Sequence, residues 1–249
     1  AVEAPSHFQF VALGTTQPAQ QVMLQPEVVG LVNSLNPAME LGQTVQAGEI
    51  LLRINDVDYR ASVSQAEAQL GQAQVRLREE ESRGRVAARE WALLGTKETE
   101  VNKELALRQP QLASAKLNLK AAQANLRMAK LSLERTVVKA PFNAVIQNQA
   151  VNLGQRVGPG QPIATLVGTD HWWVTVSITP EKLEEIERPG TTVNVQTSAN
   201  EPMIAGRFLR VLPDVNGAGK LLRVLIEVAE PDEAMRRRIV EMKAAEIAA

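Results

Sequence analysis

Between residues 105 and 133 a leucine recurs at every seventh position: Leu105, Leu112, Leu119, Leu126 and Leu133. Ala115, Ala122 and Ala129 follow three of these leucines at i+3. A strict seven-residue apolar repeat demands a left-handed supercoil, because 3.5 residues per turn keeps one seam facing a partner helix. The preceding stretch supplies that partner. Val63, Leu70, Leu77, Gly84 and Trp91 keep the same spacing, and a companion row runs Ala66, Ala73, Glu80, Ala87 and Leu94. The alanine rows let the two helices approach closely. Gly95-Thr96, between the runs, is a helix stop followed by a polar residue able to cap the next helix. Residues 56–134 therefore predict an antiparallel helical hairpin, each arm of roughly 38 residues reaching ~57 Å. Two irregularities stand out. Glu79-Glu80-Glu81 and Gly84 put charge and a gap into the first seam. Pro110 removes one backbone hydrogen bond from the second arm, which predicts a kink or a late helix start and local flexibility there.

The texture on both sides of the hairpin is different. Residues 33–54 are short apolar pairs punctuated by Gly42 and Gly48, the rhythm of a small sandwich with tight turns. After Arg135 the same rhythm returns. Both stretches contain L-G-Q-x-V-x-x-G: Leu41, Gly42, Gln43, Val45 and Gly48 in the first, Leu153, Gly154, Gln155, Val157 and Gly160 in the second. An internal repeat of this kind, split by an insertion, predicts two half-motifs that pair into one sandwich with the hairpin at its tip. The glycines serve turns that require positive φ.

Residues 172–228 form a third unit. WWVTVSI, TTVNVQT, AGRFLRVL and LLRVLIEV read as strands, and PEKLEEIE from Pro180 reads as one short helix. Together they suggest a small antiparallel barrel, which strands near Phe8 and Gln21 could complete. The expected division is 1–25 as N-terminal strands joining the barrel, 26–55 and 135–167 as the two sandwich halves, 56–134 as the hairpin, 168–230 as the barrel, and 231–249 as a polar helical tail.

Composition narrows the function classes. Lys plus Arg number 27 and Asp plus Glu 28, so a net charge of −1 gives no electrostatic case for nucleic acid. Aromatic residues are only 3 %; with little aromatic area to bury, an elongated chain of thin layers is expected. Cysteine is absent, which excludes disulfides, thiol nucleophiles and Cys metal sites. No apolar run of about 18 residues is present to span a bilayer. His7 and His171 have no ligand-spaced companion, and the six methionines are scattered. No G-x-S-x-G, phosphate loop or H-E-x-x-H occurs, and the Asp56/Asp58 pair suits a helix start, so no enzymatic activity and no cofactor are expected.

The duplicated glycine motifs resemble the two halves of a biotinyl/lipoyl domain. LERTVVKAPFNAVI, from Leu133 to Ile146, resembles the signature that follows the hairpin in HlyD-type membrane fusion proteins. The order of parts is also that family's, and the likeness covers nearly all of residues 8–228. It implies an α+β, multi-domain fold: a lipoyl-like β-sandwich (barrel-sandwich hybrid) with an inserted coiled-coil hairpin, plus a small β-barrel. It further implies a periplasmic adaptor of a tripartite efflux pump. Such an adaptor links an inner-membrane transporter to a TolC-like outer-membrane channel and self-associates, as a hexameric ring in the family. The moderate hairpin length resembles the adaptors of resistance-nodulation-division (RND) pumps, with ABC-type exporters or type I secretion as the alternative. A lipid or N-terminal anchor holds such adaptors to the inner membrane. Their fourth, membrane-proximal domain is built from both chain ends, and residues 231–249 are the expected remnant of it.

The candidate site is the hairpin tip. Arg89 and Leu93 match the first two positions of the family's Arg-Leu-Ser tip motif, by which these adaptors engage the channel. The Ser position falls on Glu100, with Thr99 just before it, a departure that suggests a different channel-tip chemistry. The heptad weighs on the same residues. Leu94 and Trp91 continue the seam rows, whereas Leu93 is on neither row and should project outward, with Arg89 four residues earlier on the same face. An exposed leucine at a tip calls for a partner more than a charge run does. The charged hairpin rows read mostly as a solvated face, a minority of them pairing with neighbouring hairpins. A lipoyl-type carrier is the reading from another class. It needs a modifiable lysine in a short turn between the halves, where this chain instead carries some eighty helical residues.

Overall fold

The structure is a computed structural model and describes residues 12–94, 100–185, 192–196, 203–216 and 221–229. Its centre is a sandwich of two four-stranded sheets in which the halves of the repeat interleave. The segment before the repeat supplies β2 (Gln21–Leu24), and the first half supplies β3 (Gly30–Leu35), β4 (Thr44–Val45) and β5 (Ile50–Ile54). The second half supplies β6 (Val137–Lys139), β7 (Ala144–Gln149), β8 (Arg156–Val157) and β9 (Ala164–Gly168). One sheet runs β2-β9-β7-β4 and the other β6-β5-β3-β8, so each sheet draws strands from both halves. Neither half could bury its apolar face alone. Together they enclose Val32, Met39, Leu51, Leu52, Ile54, Ile146, Ile163 and Leu166, each at most 1 % exposed. Burying a side chain of this size contributes roughly 1.5–3 kcal/mol.

The repeat is visible in the hydrogen bonds. The first L-G-Q turn clamps the second half: the Gly42 N–H donates to the Ile146 carbonyl (2.8 Å), and the Ile146 N–H donates to the Gln43 carbonyl (2.9 Å). The second turn clamps the first half: the Gly154 N–H donates to the Val32 carbonyl (2.8 Å), and the Val32 N–H donates to the Gln155 carbonyl (2.9 Å). All four motif glycines have positive φ: 80° at Gly42, 82° at Gly48, 79° at Gly154 and 86° at Gly160. A Cβ at any of them would meet nothing within 4 Å. The requirement there is for left-handed backbone, not for space.

The hairpin rises from this sandwich as α1 (Val57–Leu94), α2 (Glu100–Ala106) and α3 (Gln109–Glu134). The 38 residues of α1 span ~57 Å. From Ala61 to Trp91 nearly every position that is not exposed lies on the two predicted rows, with Ala66, Ala73, Ala115 and Ala122 buried at the seam. The second arm departs from the heptad at Pro110. Arg108 takes left-handed backbone (φ 59°), the single non-glycine residue to do so among the described residues, and α3 starts behind it. Pro110 falls in the first turn of α3, where no N–H is needed. Leu105, on the far side of this break, is 56 % exposed and has left the seam.

Contrary to the expected weakness at the glutamates, Glu80 is a fastening. It stands on the seam with Arg108 opposite. The Arg108 Nε and Nη2 donate to Glu80 Oε2 (3.1 and 2.8 Å), and the Arg83 Nη1 donates to Oε1 (3.0 Å). Gly84 faces the Leu107 carbonyl, so the gap in one arm lies opposite the break in the other.

The hairpin base is tied down rather than loosely jointed. The Tyr59 hydroxyl donates to the Val29 carbonyl (2.7 Å), Arg135 pairs with Glu27 (2.7 Å), and the Ile54 N–H donates to the Thr136 carbonyl (2.8 Å). Thr136 is itself buried, its hydroxyl donating to the Leu133 carbonyl (2.7 Å).

The third unit is a curled, five-stranded antiparallel sheet, a half-barrel. Its order is β1 (Gly14–Pro18), β10 (His171–Ile178), β13 (Leu221–Ala229), β12 (Ile204–Asn216), β11 (Thr192–Val195). Register shifts after Phe208 and Leu212 bend the long strand β12. The short helix α4 (Pro180–Glu185) sets Leu183 against the core around Trp172, Phe208 and Val228. β1 joins this sheet. β2, which the sequence reading grouped with β1, pairs instead with β9 in the sandwich. The chain crosses between units at Ala19–Gln20, where the Ala19 N–H donates to the His171 carbonyl and the Gly168 N–H to the Gln20 carbonyl. The helical tail expected at 231–249 lies outside the described residues.

Candidate docking surface at the hairpin tip

The last turns of α1 present two kinds of residue. Ala87 and Trp91 continue the seam and are half-buried. Arg89 is exposed, and Leu93 is 87 % exposed, four residues further along the same outer face. The heptad separates these sets. Among the described residues no helix covers a leucine one position off the seam, so its side chain stands exposed. Leu94 ends α1 and Glu100 opens α2; their side chains lie outside the described residues, as does Thr99. The structure therefore brings Arg89 and Leu93 together and leaves the other three members of the predicted set undescribed at side-chain level.

Below the tip is a feature the sequence reading missed. Beside the break at Arg108, α1 and α2 flank a shallow, open groove of about 530 Å³. Val86, Ala87, Leu105 and Ala106 line it, with Arg83, Glu90 and Arg108 at its margins. Val86 is 54 % exposed and lies one heptad before Leu93, so an apolar row runs down α1 from the tip to the groove. Two signals in the sequence point to it. Val86 shares the off-seam heptad position of Leu93. Glu80 and Arg108 are opposite charges on facing seam rows, at the step where the leucine row reaches Pro110.

Electrostatics hold this geometry. The hydrogen bonds from Arg108 are the largest influence on the Glu80 carboxyl and keep it below the usual carboxylate range, against a smaller opposing effect of desolvation. At the hairpin base, the Asp56 carboxyl is likewise lowered, first by its hydrogen bonds from Arg60 (2.7 and 2.9 Å). Both carboxylates position helices. Among the described residues no helix is long and apolar enough to cross a membrane.

No protein-family model matches the chain. Solved structures do. The fold is similar to that of a candidate efflux transporter from Bacteroides eggerthii, with a TM-score of 0.65 at 20 % identity over 97 % of this chain and 70 % of that one. It is similar to a membrane fusion protein of Streptococcus pneumoniae, with a TM-score of 0.59 at 15 % identity over 90 % of this chain and 92 % of that one. It is also similar to a MacA–MexA chimera carrying the α-hairpin domain of Pseudomonas aeruginosa MexA, with a TM-score of 0.58 at 20 % identity over 89 % of this chain and 75 % of that one. The chain has the fold of the membrane fusion proteins.

Proposed function

We propose that this chain is the periplasmic adaptor of a tripartite efflux pump, joining an inner-membrane transporter to a TolC-like outer-membrane channel. The observation that carries the reading is Leu93: a leucine 87 % exposed beside Arg89, at the end of a ~57 Å coiled coil, on the fold of the membrane fusion proteins. Leu93 shares its face of α1 with the exposed Val86, and exposed apolar side chains set together that far from the sandwich are placed to meet a partner. The role is mechanical. The tied base at Tyr59, Arg135 and Thr136 holds the hairpin on the sandwich, and the seam holds the tip at a fixed distance. Arg89 and Leu93, with Leu94, Thr99 and Glu100 around the turn, dock the channel. Copies of the chain pack side by side into a ring, hexameric by family resemblance, through which substrates pass unchanged. A lipid or N-terminal anchor holds the adaptor to the inner membrane. The moderate hairpin length favours an RND-type transporter.

Affinity purification of the tagged full-length protein from solubilised membranes, with mass spectrometry of what elutes with it, tests this. Recovery of an RND transporter together with an outer-membrane channel is expected. An ABC transporter in its place would correct the pump type. A soluble metabolic complex, or a lipoyl or biotinyl mass on the chain, would overturn the reading.

A further inference from the structure

The heptad of the second arm runs through its break without slipping. Leu105 stands seven residues before Leu112, and Arg108 seven before Ala115. An inserted or deleted residue would have thrown the row off the seam, and none is present. A continuous α-helix from Glu100 to Glu134 would therefore carry Leu105 back to the seam side. A place is ready for it. Gly84 faces the Leu107 carbonyl, and two residues further along each arm Leu105 comes level with Val86 and the seam residue Ala87. Below the break the seam sets half-buried leucines, Leu119 and Leu126, among buried alanines such as Ala66 and Ala73. Leu105 on Ala87 would repeat that packing and fill the groove that the two now line.

Each arrangement carries a fault and a gain. The broken arm holds Arg108 in left-handed backbone, which an L side chain resists, and leaves Leu105 56 % exposed. Its gain is the clamp on Glu80, whose side chain is only 17 % exposed and accepts three hydrogen bonds from Arg108 and Arg83. The continuous arm would bury Leu105 but would set Pro110 inside a helix, where it has no N–H for the Ala106 carbonyl. It would also loosen the clamp. Helical side chains lean toward the N-terminus of their own helix, which for Arg108 is toward the tip, whereas Glu80 lies four residues below Gly84, toward the base. Opposed faults and gains in two packings of one sequence are the makings of a two-state element.

We infer that the hairpin is such an element. Arg108 switches the upper second arm between the break and a continuous coiled coil in which Leu105 packs on Ala87 and the groove closes, and the Glu80 clamp holds it in the break. The switch changes what the upper hairpin offers to a partner, because Leu105 stands bare beside Val86 only while the arm is broken. Its effect on docking rests on the adaptor reading; the switch itself does not.

The sequence has no cysteine, so spin labels attach to the full-length protein only where Glu104→Cys and Asn125→Cys place them. Both positions are exposed, and they lie on either side of the break, three heptads apart. A continuous helix sets the interval between them at ~32 Å, and a bend at Arg108 shortens it. Pulsed dipolar spectroscopy reads the populations. The parent is expected to hold mainly the shorter interval. Glu80→Gln, which weakens the clamp, and Pro110→Ala, which removes the fault of the continuous arm, should each raise the ~32 Å population several-fold without loss of helix content by circular dichroism. Adding Leu105→Ala to either should bring that population down again. A distribution that neither variant moves would overturn the inference. So would a shift with Pro110→Ala alone, which would make the break a property of the proline and not of the clamp. A broad spread of intervals with a fall in helix content would also overturn it, because the arm would then fray and not switch. Crosslinking of Leu93 to the channel is scored separately: its failure removes the adaptor reading and leaves the switch to be decided by the intervals.

Discussion

Glu80 occupies a seam position that coiled coils reserve for apolar side chains, and it holds there because Arg108 and Arg83 between them engage both of its oxygens. Its pKa is lowered in the folded chain, so the unfolded chain binds the proton more readily. The stabilisation is therefore complete above the ordinary carboxylate range and is lost as pH falls through the depressed value. Arg108→Ala should lower the thermal midpoint at neutral pH, and the gap to the parent should close on acidification below the ordinary carboxylate range. A pH series of melting curves checks this, and an unchanging gap would assign the loss to backbone or packing at Arg108. The motif glycines make a separate prediction. At Gly42 and Gly154 an added Cβ meets open space but must adopt left-handed backbone. Alanine at either should cost about 1 kcal/mol in chemical denaturation, and at both about twice that, since distant sites add. Leu93→Asp, in contrast, should leave stability within about 0.5 kcal/mol while abolishing co-purification of the outer-membrane channel as docking fails.

Among the elements, the hairpin was the most legible in the sequence, because a seven-residue period has one physical meaning. The rows at Val63 and Leu112 mark the sides that bury. The same rows set Leu93 outside the seam, and its exposure follows. The sequence was least informative where one element depends on another far along the chain. β2 is four residues long, and whether it joins β9 or the half-barrel is decided by pairing some 140 residues away. The groove at Val86 and Leu105 depends on how Pro110 is accommodated. Pro110 alone permits either a kinked continuous helix or the left-handed break seen at Arg108. Glycines inside α1 give an element-scale test. Gly71 has nothing within 4 Å of an added Cβ, and Gly84 has only the Leu107 carbonyl at 3.7 Å. Alanine at either should stabilise the hairpin by roughly 0.5–1 kcal/mol, read from denaturant midpoints. A loss at Gly84 alone would mean that the arms must approach more closely there than these distances show.

For the whole molecule, the sandwich is the hub from which both other units are held. Leu166, fully buried, pairs across β9 with Val22 on one side and Ile146 on the other, tying the segment before the repeat to its second half. Leu166→Ala should cost about 2–5 kcal/mol, enough to lower the amount of protein in cells and so to mimic a loss of docking. Variants at the tip are therefore to be read against protein level. The central claim is that this molecule reaches an outer-membrane channel through the end of its hairpin. The most direct measurement places a photo-crosslinking amino acid at Leu93 of the full-length protein in cells and identifies the captured species by mass spectrometry. Capture of an outer-membrane channel protein is the predicted result. Capture of only other copies of the chain, or of nothing while the protein is abundant and folded, would contradict the account and leave the hairpin as an element of self-assembly.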